Sequence, residues 1–81
     1  MSGYRISGPW RFLYDDWAHG RQIVVEVADL VDGHGYVYDR GAYHVKLDGR
    51  VLRTFKGETA WSRADSLVRD TQYRIMREGL S

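Results

Sequence analysis

Tyr43-His44-Val45-Lys46-Leu47-Asp48-Gly49-Arg50-Val51-Leu52-Arg53-Thr54-Phe55 is the stretch whose reading decides the fold. Tyr43 to Leu47 alternates apolar and polar residues, and Val51 to Phe55 does so in part, as strands with one buried face do. Between them stands Asp48-Gly49, a dipeptide favoured in tight hairpin turns because glycine accepts a positive φ. Either a two-residue turn or a type I turn with a bulge fits. The choice decides which face of the second strand carries Leu52 and Arg53, because a shift of one residue turns every side chain over.

Downstream of this hairpin the period changes. Ala60, Trp61, Ala64, Leu67, Val68, Thr71 and Ile75 recur at helical spacing and form one apolar stripe. The spacing predicts a helix from about Thr59 to Arg77, with Thr59 as N-cap and Gly79 just past the end. Asp65 and Arg69, and likewise Asp70 and Arg74, stand four apart as opposite charges on its outer side.

Upstream, residues 21–32 admit two readings. Ile23-Val24-Val25-Glu26-Val27 is β-branched and favours a strand. Val24, Val27, Ala28 and Val31 also fit a helical face that Gly33 would cap. The strand reading is preferred, since short β-branched runs make poor helices. Asp32-Gly33-His34-Gly35 then becomes a loop into a strand containing Tyr36-Val37-Tyr38. Trp10 to Tyr14 reads as a further strand, after an early bend at Gly8-Pro9 and before a turn suggested by Asp15-Asp16 and Gly20. The expected fold class is α+β: a small antiparallel sheet of three to four strands, with one C-terminal amphipathic helix packed on one face, residues 1–81 forming a single domain.

Composition narrows the functional classes. The 81 residues include no cysteine, 43% hydrophobic and 14% aromatic residues, and a formal net charge of +1. A disulfide framework and a thiolate metal site are excluded, and a folded domain is expected rather than a disordered one. No run approaches the ~20 apolar residues of a membrane-spanning helix. The start shows no basic region followed by an apolar run, so no secretory signal is expected and the expected location is cytoplasmic. Residues 1–32 lean acidic and residues 33–81 lean basic, and Arg outnumbers Lys ten to two.

Chemistry-bearing constellations are sparse. His19, His34 and His44 occur among Asp15, Asp16, Asp32 and Asp39, but no HxH, HxxxH or HxxE spacing appears, so no metal site is expected. The serines lack a GxSxG context, and Gly33-x-Gly35 lacks the third glycine and following helix of a phosphate loop. No catalytic residue, no cofactor and no enzymatic activity are expected. The tyrosines say more: Tyr36 and Tyr38 would share one strand face, as would Phe12 and Tyr14. These four aromatics are the candidate partner-binding residues if the helix leaves one sheet face uncovered; otherwise they belong to the domain's own core. Lys46, Arg50, Arg53 and Lys56 on the hairpin are candidate phosphate contacts. With the aromatics as stacking platforms they support an alternative reading, a small nucleic-acid-binding protein.

The run Tyr43 to Phe55, followed by Glu58-Thr59-Ala60-Trp61-Ser62-Arg63-Ala64-Asp65-Ser66-Leu67, resembles small orphan accessory proteins of tailed bacteriophages from GC-rich hosts. In these a strand–Asp-Gly–strand hairpin feeds a C-terminal helix with small residues at i and i+4. The resemblance covers residues 43–67 and carries over no functional residue. It implies a class of role: binding a host or phage protein as an inhibitor or modulator by occupancy, in the host cytoplasm, without chemistry. A homodimer that buries the uncovered sheet face is the accompanying expectation for oligomeric state.

Overall fold

The computed structural model describes residues 4–79, with the backbone alone described at residues 38–40. Four strands, β1 (Arg5–Ala18), β2 (Arg21–Val31), β3 (Val37–Leu47) and β4 (Arg50–Lys56), precede one helix, α1 (Ala60–Gly79). The strands lie in the order β1-β2-β3-β4, each antiparallel to the next. The expected α+β class therefore holds, with four strands.

The reversals follow from local backbone chemistry. Leu47 pairs with Arg50 across a two-residue turn, and both turn residues have positive φ, 51° at Asp48 and 85° at Gly49. That is the type I′ geometry whose twist suits a hairpin. Ala18 and Arg21 close the β1–β2 hairpin in the same way, with φ of 49° at His19 and 76° at Gly20. Asp15 and Asp16 belong to β1, paired with Val24 and Ile23, and not to the turn expected from them. The chain has its reversing pair at His19-Gly20, and an edge strand tolerates exposed acids before it. The Asp48 turn is bonded to the start of β2: the Asp48 N–H donates to Gln22 O at 2.9 Å, and Asp48 Oδ1 accepts from the Gln22 N–H at 3.2 Å. Arg21 Nε donates to Asp48 Oδ2 at 2.9 Å, and this bond is the main reason the Asp48 carboxyl lies below its ordinary range.

Residues 21–31 are a strand, as preferred. Ile23, Val25 and Val27 face the helix with Tyr43, Val45 and Phe55. The helix-like spacing through Val27 and Ala28 arises because neighbouring residues are buried on opposite faces there. On α1 the buried residues are Ala60, Ala64, Val68, Thr71 and Ile75, a stripe whose small N-terminal members bring the helix close to the sheet. Trp61 and Leu67 lie at the margins of that stripe, half-exposed and partly buried. Each fully buried Val or Ile contributes ~1.5–3 kcal/mol. The helix starts where Arg63 N–H donates to Thr59 O at 3.0 Å, and Asp65–Arg69 closes at 2.8 Å on its outer side.

The helix backs only part of the sheet. Twenty residues of helix span ~30 Å, against a longest molecular dimension of 51 Å. Its approach is tied to mid-strand β3 by Gly57 N–H donating to Gly41 O at 3.0 Å. Its last residue, Gly79, reaches the His19 ring at the β1–β2 turn.

Where helix cover ends, both neighbours of β2 bulge. Gly8, Pro9 and Trp10 of β1 stand opposite Ala28, and residues 39–41 of β3 stand opposite Asp29. Pro9 is tolerated because β1 is an edge strand. Gly41 is required by close approach: a Cβ there would lie 2.7 Å from the Leu30 Cβ. Two smaller irregularities fall at Leu13 in β1 and Leu52 in β4, and they redistribute side chains between the faces.

Candidate functional site

The helix-free face is built on the alternate residues of the same central strands: Gln22, Val24, Glu26 and Ala28 of β2, and Ala42, His44 and Lys46 of β3. Ala28 and Ala42 are small and fully buried. Trp10, from the β1 bulge, packs on Ala28, Leu30 and Ala42 together with Ile6. The indole also stacks on the His44 imidazole, with centroids 3.7 Å apart and 18° between planes. His44 Nε2 lies 2.6 Å from Glu26 Oε1, and Lys46 Nζ lies 3.3 Å from the same oxygen. The His44 hydrogen bond, aided by Lys46 and opposed by burial, lowers the Glu26 carboxyl below its ordinary value of 4.5.

This cluster is a brace. His44 is only 6% exposed, its ring is covered by Trp10 and its Nε2 is engaged. A substrate atom has no open approach to that nitrogen, which general acid–base work requires. Among the described residues, no group of three or more His, Asp or Glu is arranged to hold a metal ion. His19 sits in the β1–β2 turn and His34 in the β2–β3 loop, far apart along the topology from His44.

Flanking the brace are side chains with no comparable cover. Phe12, paired with Glu26, is 62% exposed, and Trp17, paired with Gln22, is 57% exposed. Both project from β1 onto the helix-free face. On the opposite margin Val51, paired with Lys46, and its neighbour Leu52 are also exposed.

The residues expected from sequence are thus dispersed. Phe12 is on the helix-free face, but Tyr14 is not: the irregularity at Leu13 sets Tyr14 opposite Val25, on the helix side. There its ring meets Trp61 edge-on at 5.9 Å, and its hydroxyl donates to Asp65 Oδ1 at 3.3 Å. Burial, then the Asp65 charge, pushes the Tyr14 hydroxyl up to about 12. The expectation that Phe12 and Tyr14 share a face is corrected accordingly. Tyr36 precedes β3 in the β2–β3 loop, 73% exposed. An Asp32 side chain holds this loop by accepting from the N–H groups of His34 and Tyr36. Tyr36 stands one residue before the start of β3 at Val37; the face expected to be shared by Tyr36 and Tyr38 involves the side chain of Tyr38, which lies outside the described residues.

The four hairpin cations divide as well. Lys46 and Lys56 lie on the helix-free side, opposite Val24 and Ala42, whereas Arg50 and Arg53 pair with Leu47 and Val45 on the helix side. They form no single phosphate-tracking stripe. Trp17 and the Trp10–Glu26–His44 brace were not singled out from sequence. Their signal was Glu26 interrupting the apolar run of β2, and His44 at a polar position of an alternating strand. No family model, curated protein or solved structure matches this chain. Among the described residues no helix is long and apolar enough to cross a membrane.

Proposed function

We propose that this chain is a protein-binding module that engages its partner through the helix-free sheet face, with Phe12 and Trp17 as anchors. The observation that supports this reading is the exposure of both rings on a face whose centre is braced by Trp10, Glu26, His44 and Lys46. Aromatic side chains held on a rigid support lose little conformational freedom on binding and are favoured as interface anchors. A standard interface needs only ~800 Å² per partner, within the scale of one face of a four-stranded sheet. The partner is a host or phage protein, in keeping with the resemblance to small phage accessory proteins, and the action is occupancy without chemistry.

The test is capture from the lysate of a GC-rich bacterium by the tagged chain, compared with a Phe12→Ala/Trp17→Ala variant shown by circular dichroism to be folded. The reading expects one stoichiometric protein that survives nuclease and moderate salt and is lost with the variant. Capture that is unchanged in the variant contradicts it, as does recovery of nucleic acid alone in a salt-sensitive manner. A particle of twice the 9.4 kDa chain mass that the variant converts to monomer would assign the face to a second copy instead.

A further inference from the structure

We propose that the outer edge of β4 receives an extended, acidic segment of another protein as a fifth strand. Among the described residues β4 is paired on one side only, to β3. Its other edge presents backbone donors and acceptors, the groups that strand addition satisfies. Every residue of β4 is exposed except Phe55, and pairing to β3 runs without interruption from Arg53 to Lys56.

The sheet's other edge is a poor receiver. β1 is bulged at Gly8-Pro9-Trp10 and again at Leu13, and Pro9 has no N–H to offer. These are devices by which edges are kept from pairing. β4 from Arg53 onward has neither proline nor bulge.

Charge identifies the occupant. β4 carries Arg50, Arg53 and Lys56 and no acid, and none of the three makes an ion pair among the described residues. Asp48, the nearest acid in the hairpin, is held by Arg21. Arg63 adds a fourth cation beside the strand, stacked over the Phe55 ring at 5.1 Å. A second copy of β4 is disfavoured: the antiparallel register centred on Arg53 sets that residue against itself, and like charges directly opposite destabilise a sheet. An incoming strand with Glu or Asp opposite Arg50 and Arg53, which share the helix side, is matched in both backbone and charge.

This surface is distinct from the helix-free face, and its test is independent of that proposal. The full chain, isotopically labelled, is titrated with an acetylated, amidated nonapeptide of alternating Glu and Val, and followed by amide shifts and hydrogen exchange. Shifts and increased protection are expected at Arg53–Lys56. Arg53→Glu is expected to weaken binding at least tenfold, and a Lys-Val peptide should not bind. The same Glu-Val peptide methylated on alternate amide nitrogens keeps its charge but cannot pair, and should lose binding at least tenfold. The Phe12→Ala/Trp17→Ala variant should bind the peptide as the parent does. No protection of β4 at millimolar peptide, or equal binding of the methylated peptide, would overturn the proposal. Tighter binding of a single-stranded oligonucleotide at the same residues would overturn it too, assigning the edge to phosphate.

Discussion

The two faces of β2 and β3 come from alternate residues of the same strands, yet they are organised by different forces. The helix-backed face is a buried apolar layer: Ile23, Val25 and Val45 are fully buried there, with Tyr43 and Phe55 beside them, beneath the Ala60–Ile75 stripe of α1. The helix-free face mixes polar residues with Val24, Ala28 and Ala42. A small apolar cluster of Ala28, Leu30 and Ala42 under Ile6 and Trp10 is joined there to a directional one, Trp10 on His44 on Glu26, with Lys46 on the same carboxylate. Apolar burial is non-directional and sums over area, so the first face secures stability. A hydrogen-bonded cluster fixes a particular arrangement, so the second sets shape and leaves Phe12 and Trp17 presented on a firm base.

The comparison is broken most severely from the buried side. Ile23→Ala is expected to cost roughly 2–5 kcal/mol in urea unfolding, the range for large-to-small substitution in a packed layer. Val24→Ala, one residue away and half-buried on the other face, should cost less than about 1 kcal/mol. Similar losses from both would show that the helix-free face is a second core.

Gly41→Ala tests the boundary between helix-backed and protruding sheet. The new methyl would meet Leu30 Cβ at 2.7 Å, Cγ at 2.9 Å and Cδ1 at 3.0 Å, and overpacking of this kind costs about 1–3 kcal/mol. Adding Leu30→Ala removes two of those three contacts, so the double variant should lose less than the sum of the singles.

Much of the helix-backed half was legible in the sequence, and the reasons are local. Asp48-Gly49 supplies both positive φ values of a type I′ turn, the β-branched run at Ile23–Val27 resists a helix, and the Ala60–Ile75 spacing is strictly helical. Bulges were not legible, because an extra residue in one strand leaves no periodic trace. That is why Phe12 and Tyr14, two apart, fall on opposite faces, and why Arg53 shares the helix side with Val45. The brace was missed for a related reason: Trp10, Glu26 and His44 come from three strands and meet only when the β1 bulge brings Trp10 inward. The anchors were half visible, with Phe12 singled out and Trp17 passed over within the span from Asp15-Asp16 to Gly20 that was read as a turn.

Glu26→Gln sharpens the account of the helix-free face. At neutral pH it should destabilise by about 1.5 kcal/mol, the scale of a hydrogen bond to a charged group. The pH dependence has a defined sign. The folded-state carboxyl lies below its ordinary 4.5, so its contribution is complete above that value and is lost as pH falls through the lower folded value. The parent's advantage over Glu26→Gln should therefore shrink on acidification, as read from unfolding midpoints between pH 6 and pH 2.

The smallest effect belongs to Tyr14 on the helix side. Tyr14→Phe should cost about 0.5–1 kcal/mol at pH 7, the net worth of one hydrogen bond. Because the folded hydroxyl is raised from 10.0 to about 12, its contribution is intact below pH 10 and lost as pH climbs through that interval. Removing the hydroxyl should flatten that alkaline decline, and an unchanged decline would place it elsewhere.

The central claim is that the helix-backed face holds the fold while the rings on the other face are held in reserve for a partner. Urea unfolding of the Phe12→Ala/Trp17→Ala variant tests it most directly. The expected result is an unchanged denaturant slope and a stability within about 1 kcal/mol of the parent, as for exposed positions. A loss approaching that of Ile23→Ala would contradict the claim, because the two rings would then be part of what keeps the chain folded.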